Sequence, residues 1–355
     1  MLAFEQKSKW FGVAVRGING VGRLLLGKGK PVPVPEKPRG ILVGKCDHLG
    51  DLMMITDFLM TARERAPGAR IGLIHGAWCA GLARRLVAAG MVDELIQYSP
   101  LALNRMKEGF WKKVRREISE FFTARRLVAR GNYEVFFELR PFSGNTLHIA
   151  RLAGVPCRIG FALREFGFSV NHALDYSDAV PLGQLFNNAA RFLGVEPRVY
   201  KGPRVTEAFW PAARADGAGK FALLHVYSGN PIKNLGDAAW GDILRLLRQS
   251  GWTPLLVGAA GERAALEALK GDGSGEVCCG DLEGTLEACR RARVAITVDS
   301  FVAHLVLAAG RDLIVIGPER LKHIVARALP LGQCHYLAKE GDCAGGIRRA
   351  LETQT

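Results

Sequence analysis

The chain is predicted to be an α/β protein of two Rossmann-like domains, each a parallel sheet covered by helices, and three observations lead there. Short apolar runs of strand length alternate with longer stretches of helical periodicity. That alternation occurs in two successive series of similar size. The chain, at 355 residues with 48% hydrophobic and 23% charged residues, is long enough for two ordinary cores.

The elements follow in order. Residues 1–39 form a basic leader and linker carrying eight Lys or Arg against two acids. Trp10, Phe11, Val15, Ile18, Val21 and Leu25 interleave there with Lys7, Lys9, Arg16 and Arg23. This pattern suits a helix lying on an anionic membrane face, although glycines at 12, 17, 20, 22 and 27 weaken it. A disordered or locally packed leader is the alternative. Gly17, Gly20 and Gly22 superficially resemble a dinucleotide-binding glycine turn, but the chain then enters a proline-rich run at 30–38 that cannot pair in a sheet. Strand candidates at 41–44, 70–74, 94–98, 135–139 and 158–160 make the first domain, residues 40–205. Those at 221–226, 254–258, 276–278, 294–298 and 313–316 make the second, residues 206–355. Pro203 and Pro211 interrupt regular patterning around the boundary.

The formal charge of +14 calls for anionic partners. A second basic block, residues 105–130, carries nine Lys or Arg against three acids. No recognition motif accompanies the charge, so nucleic acid is not an expected partner. Eight cysteines are scattered without a C-x-x-C pair, which disfavours a zinc site or a disulfide framework and fits reduced thiols. With no apolar run of 18 residues and no secretory pattern, a cytoplasmic protein is expected.

Chemistry is concentrated at strand ends. After the first strand, Leu52, Ile55, Leu59 and Ala62 recur at helical spacing, and Gly50 and Asp51 stand at the turn between the two. Open α/β sheets bind ligands at the carboxyl ends of their strands, so Asp51 is a candidate general base. Its alternative is a plain helix cap. In the second domain, the strand 294–298 is followed by Asp299 and Ser300, which suit a helix start, and by a helical stretch ended by Gly310. The uncapped amides of such a helix receive phosphate. Lys233 would add a full positive charge for a leaving diphosphate, and His304 lies one turn beyond Ser300. His304 suits a ligand contact or a core position equally. Glu262 follows a glycine-rich turn, where an ordinary first-turn glutamate is favoured by the helix dipole.

Three separated motifs carry a resemblance. Lys45-Cys46-Asp47-His48-Leu49-Gly50-Asp51, Ser228-Gly229-Asn230-Pro231-Ile232-Lys233 and Val298-Asp299-Ser300-Phe301-Val302-Ala303-His304 occur in the order found in the heptosyltransferases, glycosyltransferase family nine. The chain resembles that family over about residues 40–340. The resemblance implies a GT-B-like fold with two facing domains, no metal ion and no separate cofactor. It further implies inverting transfer of a sugar, heptose on ADP by family default, to a lipopolysaccharide-core or similar anionic glycolipid at the inner-membrane surface. By the same resemblance Asp51 takes the acceptor proton with Lys45 beside it. Ser228, Lys233, Glu262, Asp299, Ser300 and His304 hold the nucleotide-sugar donor, and Lys112, Lys113, Arg115 and Arg116 meet the acceptor.

Two departures stand out. The family's Lys-x-Trp-Pro reads Lys233-Asn234-Leu235-Gly236 here, and the Gly-Pro after its Asp-Ser/Thr is replaced by Phe301-Val302. Losing that glycine narrows the room for backbone to approach phosphate, so a different nucleotide sugar is an alternative. A catalytically silent sugar-nucleotide or glycolipid-binding protein is another.

Overall fold

The computed structural model describes residues 17, 20–25, 27, 29–101, 103, 108–141, 146–163, 167–211, 219–330, 332 and 334–352. Most of the proposed leader helix, including Trp10, Phe11, Val15 and Ile18, and the start of the second basic block at Arg105 lie outside them. The chain divides into two compact units, Met1–Val199 and Tyr200–Thr355.

The first unit holds β1 (Gly40–Lys45), β2 (Arg70–His75), β3 (Glu94–Gln97), β4 (Val135–Glu138), β5 (Cys157–Gly160) and β6 (His172–Ala173) in the order β3-β2-β1-β4-β5-β6. Every pairing is parallel. Such sheets are covered on both faces, which is why β1 and β4 are buried along their whole length and read as unbroken apolar runs ending in a charge. On one face Leu42, Ile74, Ile96 and Phe136 pack against Ala124 and Val128 of the helix Phe110–Arg130 and against Leu147 and Ile149. On the other face Phe137 meets Phe58 edge to face at 4.9 Å, a contact worth about 0.5–1.5 kcal/mol beyond its buried area.

The second unit repeats the plan with β7 (Phe221–His225), β8 (Thr253–Ala259), β9 (Glu276–Gly280), β10 (Val294–Val298), β11 (Asp312–Gly317) and β12 (His335–Ala338). Their order is β12-β11-β10-β7-β8-β9, again all parallel. Trp240, on the helix Asp237–Gln249, anchors a core with Leu224, Leu256, Ile296 and Ile314. In each sheet the direction of winding reverses between the first and fourth strands, β1 and β4 or β7 and β10. A doubly wound sheet presents its ligand crevice at that reversal.

Three details differ from the sequence expectation. The helix expected to run through Leu52 and Ala62 is two segments, Leu49–Met54 and Thr56–Arg65, broken at Ile55 (φ −91°, ψ −3°). Thr56 uses its hydroxyl on the Met53 carbonyl at 2.8 Å, a side-chain bond that competes with the helical ladder. Two edge strands, β6 and β12, were not expected: β6 has two residues, and β12 is only half-buried, so neither leaves an apolar run. The proline-rich linker lies along the β6 edge, where Asn171 Nδ2 and His172 Nε2 hold the carbonyls of Lys30 and Val32 at 2.6 and 2.7 Å. Side chains rather than a backbone ladder fix it, as its prolines require.

Candidate functional site

In the first unit, the reversal point gathers five charged residues. Lys45, the last residue of β1, is almost wholly buried: its Nζ donates to the Leu139 carbonyl (2.7 Å), pairs with Asp47 Oδ2 (2.8 Å) and lies 4.2 Å from the centre of the Phe186 ring. Asp47 Oδ1 is 2.5 Å from Nε of Arg140, two residues past β4. Its main-chain carbonyl takes the Trp78 indole N–H at 2.5 Å. Burial pushes the Asp47 carboxyl up, but Lys45 and Arg140 more than offset this and hold it below the ordinary carboxylate value. Asp47 is therefore a fixed negative charge at neutral pH.

Asp51 sits beside this cluster in the helix Leu49–Met54. One carboxylate oxygen, Oδ2, accepts from the His48 N–H at 3.2 Å, so the residue does close the helix start. The cap and the base are compatible roles, because a carboxylate has a second oxygen. Burial first, then the Asp47 charge, push Asp51 up to about 6. A base with that proton affinity is ionised at working pH yet accepts a proton readily.

Glu138 closes β4 directly below. It is buried and accepts a hydrogen bond from Thr146 Oγ1, and burial pushes its carboxyl up to about 8. Gly44 makes room for this contact, since a Cβ there would lie 2.3 Å from Thr146 Oγ1. A carboxyl whose folded pKa is raised contributes stability below its ordinary value of 4.5, and that contribution is lost as pH rises through about 8. Glu138→Gln mimics the protonated form. Thermal unfolding of this variant should show little gain over the wild type at pH 5 and a gain of about 1–3 kcal/mol at pH 9.

The second unit builds a different arrangement at the β7/β10 reversal. Lys233, on the short turn Pro231–Lys233, pairs with Asp299 just past β10. Ser300 precedes the helix Phe301–Ala308 but does not cap it with its side chain; its hydroxyl shares a 3.0 Å hydrogen bond with His225 Nδ1 at the end of β7. Ser300 thus stands at the helix start as expected, but through its backbone: its carbonyl accepts the Ala303 N–H at 3.2 Å, while its hydroxyl is turned to the imidazole. Burial drives both His225 and His304 down to about 4, so each imidazole is neutral at physiological pH. His304 contributes hydrogen bonding, not charge. Its Nδ1 is buried and has no partner among the described residues.

Ser228 organises its own loop: its hydroxyl donates to the Asn230 carbonyl (2.9 Å) while its amide donates to Asn234 Oδ1 (2.8 Å). Lys339, just past β12, pins the same loop through the Ile232 carbonyl at 2.8 Å. Glu262 folds back on the Ala259 N–H at 2.8 Å, which engages one of its two carboxylate oxygens in its own turn. On the helix Phe110–Arg130, Arg116 pairs with Glu108, and Lys112 Nζ lies 4.0 Å from the same carboxylate; Lys112 and Arg115 are exposed, and Lys113 and Arg116 are half-buried.

The sequence alone did not single out Asp47, Glu138, Arg140 or Lys339, which the structure places around the expected site residues. For Glu138 and Arg140 a signal existed, because the run 135–140 is a buried strand ending in charge and must finish at the same sheet edge as β1. Lys339 follows a strand too short and exposed to have been expected.

No protein-family model and no curated protein matches the sequence. Solved structures do match its fold. The glycosyl transferase family 9 protein of Veillonella parvula DSM 2008 is 17% identical, with a TM-score of 0.68 over 91% of each chain. E. coli heptosyltransferase WaaC, solved with ADP-2-deoxy-2-fluoro heptose, is 19% identical, with a TM-score of 0.71 over 89% of this chain and 100% of its own. E. coli ADP-heptose lps heptosyltransferase II is 17% identical, with a TM-score of 0.62 over 84% of this chain and 90% of its own. The two six-stranded parallel sheets of this chain, with their helices, have the GT-B fold of these glycosyltransferases.

Proposed function

We propose that the chain is an inverting glycosyltransferase that moves a sugar from a nucleoside diphosphate to an anionic glycolipid. The observation that carries this reading is Asp51 at the β1/β4 reversal, lifted to about 6 beside an Asp47 that Lys45 and Arg140 keep ionised. The three ordered motifs and the shared fold support it. WaaC was solved with an ADP-sugar analogue, which makes ADP-heptose the first donor to test.

In the proposed reaction, the acceptor hydroxyl oxygen forms a bond to the anomeric carbon as that carbon's bond to the diphosphate breaks. The hydroxyl proton passes to the Asp51 carboxylate, and the electron pair leaves with the nucleoside diphosphate. Inversion follows from this single displacement. Lys233 has three N–H donors; one serves Asp299, and the others are offered to the growing charge on the phosphate. Ser300, the first amides of the helix Phe301–Ala308 and neutral His304 supply hydrogen bonds to the same diphosphate. Ser228 shapes the loop that carries Lys233, and Glu262 has one oxygen left for the ribose. No metal ion is required in this scheme. The basic leader would keep the protein on the cytoplasmic surface of the inner membrane, with Lys112, Lys113, Arg115 and Arg116 toward the anionic acceptor.

Titration calorimetry checks the donor side. Lys233→Ala should weaken nucleoside diphosphate binding by about 10–100-fold, the worth of one charge-assisted hydrogen bond. Unchanged affinity would remove Lys233 from the donor site.

A further inference from the structure

The helix Phe110–Arg130 shows the first unit a narrow face and solvent a wide one. Ala124 and Val128 are buried, with Phe121 and Leu127 packed beside them. Both acids of the helix are turned toward residues 97–101: Glu117 accepts from Tyr98 Oη (2.9 Å) and the Leu101 N–H (3.0 Å), and Glu120 accepts from Gln97 Nε2 (2.6 Å) and the Ser99 N–H (2.7 Å). Apart from Ser119 and Thr123, the exposed side chains of the helix are cationic or apolar. Trp111 is 79% exposed, Phe122 62%, Phe110 59% and Ile118 54%. Trp111, Arg115, Ile118 and Phe122 fall on one stripe of the helix, at spacings of four, three and four. Exposed Lys112, Arg125, Arg126 and Arg130 accompany it.

This surface continues beyond the helix. Arg125 Nε donates to the carbonyl of exposed Leu152 (3.0 Å), and neighbouring Arg151 donates to the carbonyl of Gly27 (3.1 Å), just past the helical residues 20–25. Leu24 and Leu25 there are 84% and 74% exposed, and Val21 is 58% exposed. Of the eleven large hydrophobic side chains exposed among the described residues, all but Leu163, Val199 and Ile232 belong to this connected stretch. Clusters of exposed large apolar side chains mark interaction sites more than scattered single ones do.

We propose that this face lies on an anionic phospholipid bilayer, with Trp111, Ile118 and Phe122 at the boundary of headgroups and acyl chains and the flanking Lys and Arg at lipid phosphates. Charge complementarity selects that occupant. The stripe offers no outward acid, aromatic rings favour the headgroup level, and long basic side chains reach phosphates from an immersed helix. The inference goes beyond the reading above, which attributes membrane attachment to the leader and the basic block to the acceptor. Sugar transfer is not needed to test it.

The test is co-flotation of the full chain with vesicles that contain no glycolipid. Vesicles of phosphatidylcholine with roughly a third phosphatidylglycerol should bind at least about tenfold more protein than pure phosphatidylcholine, with loss on adding salt. The double variant W111A/F122A should bind the anionic vesicles about tenfold less at unchanged Tm, because both side chains are exposed. Charge reversal in R115E/R126E should abolish the preference for phosphatidylglycerol. A wild-type protein that stays out of the floating fraction, or a W111A/F122A variant that floats like wild type, overturns the proposal. So does a wild-type dimer that W111A/F122A converts to monomer without any vesicle binding, which would make the face a contact between copies of the chain.

Discussion

Asp51→Asn should lower sugar transfer by about 10²–10⁴-fold, the usual contribution of a positioned general base, and leave nucleoside diphosphate binding intact. Asparagine keeps an oxygen for the His48 N–H, so the helix start survives while the proton acceptor is lost. The wild-type rate should carry the same residue's signature in its pH dependence. With Asp51 at about 6, transfer falls as pH drops through that value, because the carboxylate is already protonated. Asp47→Asn should move this acid limb to lower pH, since Asp47's negative charge is one of the forces holding Asp51 up. Comparable turnover by purified Asp51→Asn would refute the base assignment.

The second large effect is on stability. Asp47→Ala strips the buried Lys45 ammonium of its only ion-pair partner among the described residues and takes the carboxylate from Arg140. Breaking a buried pair on one side costs about 3–5 kcal/mol. In a unit of this size the midpoint of thermal unfolding should fall by roughly 6–20 °C, read by calorimetry at pH 7. Asp47 has a folded pKa below its ordinary value, so its contribution is present above that ordinary value and is lost as pH falls through the folded one. The gap between wild type and Asp47→Ala should therefore close in acid; the Glu138→Gln gap closes there too but has the opposite sign, that variant being the more stable of its pair at high pH. Replacing Lys45 by Met in the Asp47→Ala background should recover part of the loss, because the stranded charge goes with it. A midpoint unchanged at pH 7 would mean that the Lys45–Asp47–Arg140 arrangement carries no net stability.

The contrast between what the sequence made legible and what it hid has a physical basis. Central parallel strands buried on both faces, such as 41–44 and 294–298, leave apolar runs that stand out from any background. Edge strands β6 and β12 have few residues to bury and leave none. Asp51 and Lys233 were visible because each follows a strand within one local motif. The partners that decide their behaviour come from elsewhere in the chain: Leu139 and Arg140 reach Lys45 and Asp47 across more than ninety residues, and His225 meets Ser300 across 75. Strand order alone brings those segments together, and a linear reading has no access to strand order. Ser300 illustrates the same limit at one residue: its helix-start position was legible, but the imidazole that takes its hydroxyl was not.

Consumption of a nucleotide sugar tests the central claim most directly. Purified protein is incubated with a panel of labelled nucleoside diphosphate sugars, ADP-heptose first, with and without lipopolysaccharide-core glycolipid, and free nucleoside diphosphate is followed with time. The account predicts release that requires both substrates, with the label recovered on the glycolipid in inverted anomeric configuration. Tight nucleotide binding with no transfer from any donor to any acceptor would contradict it and leave a binding protein built on a glycosyltransferase fold.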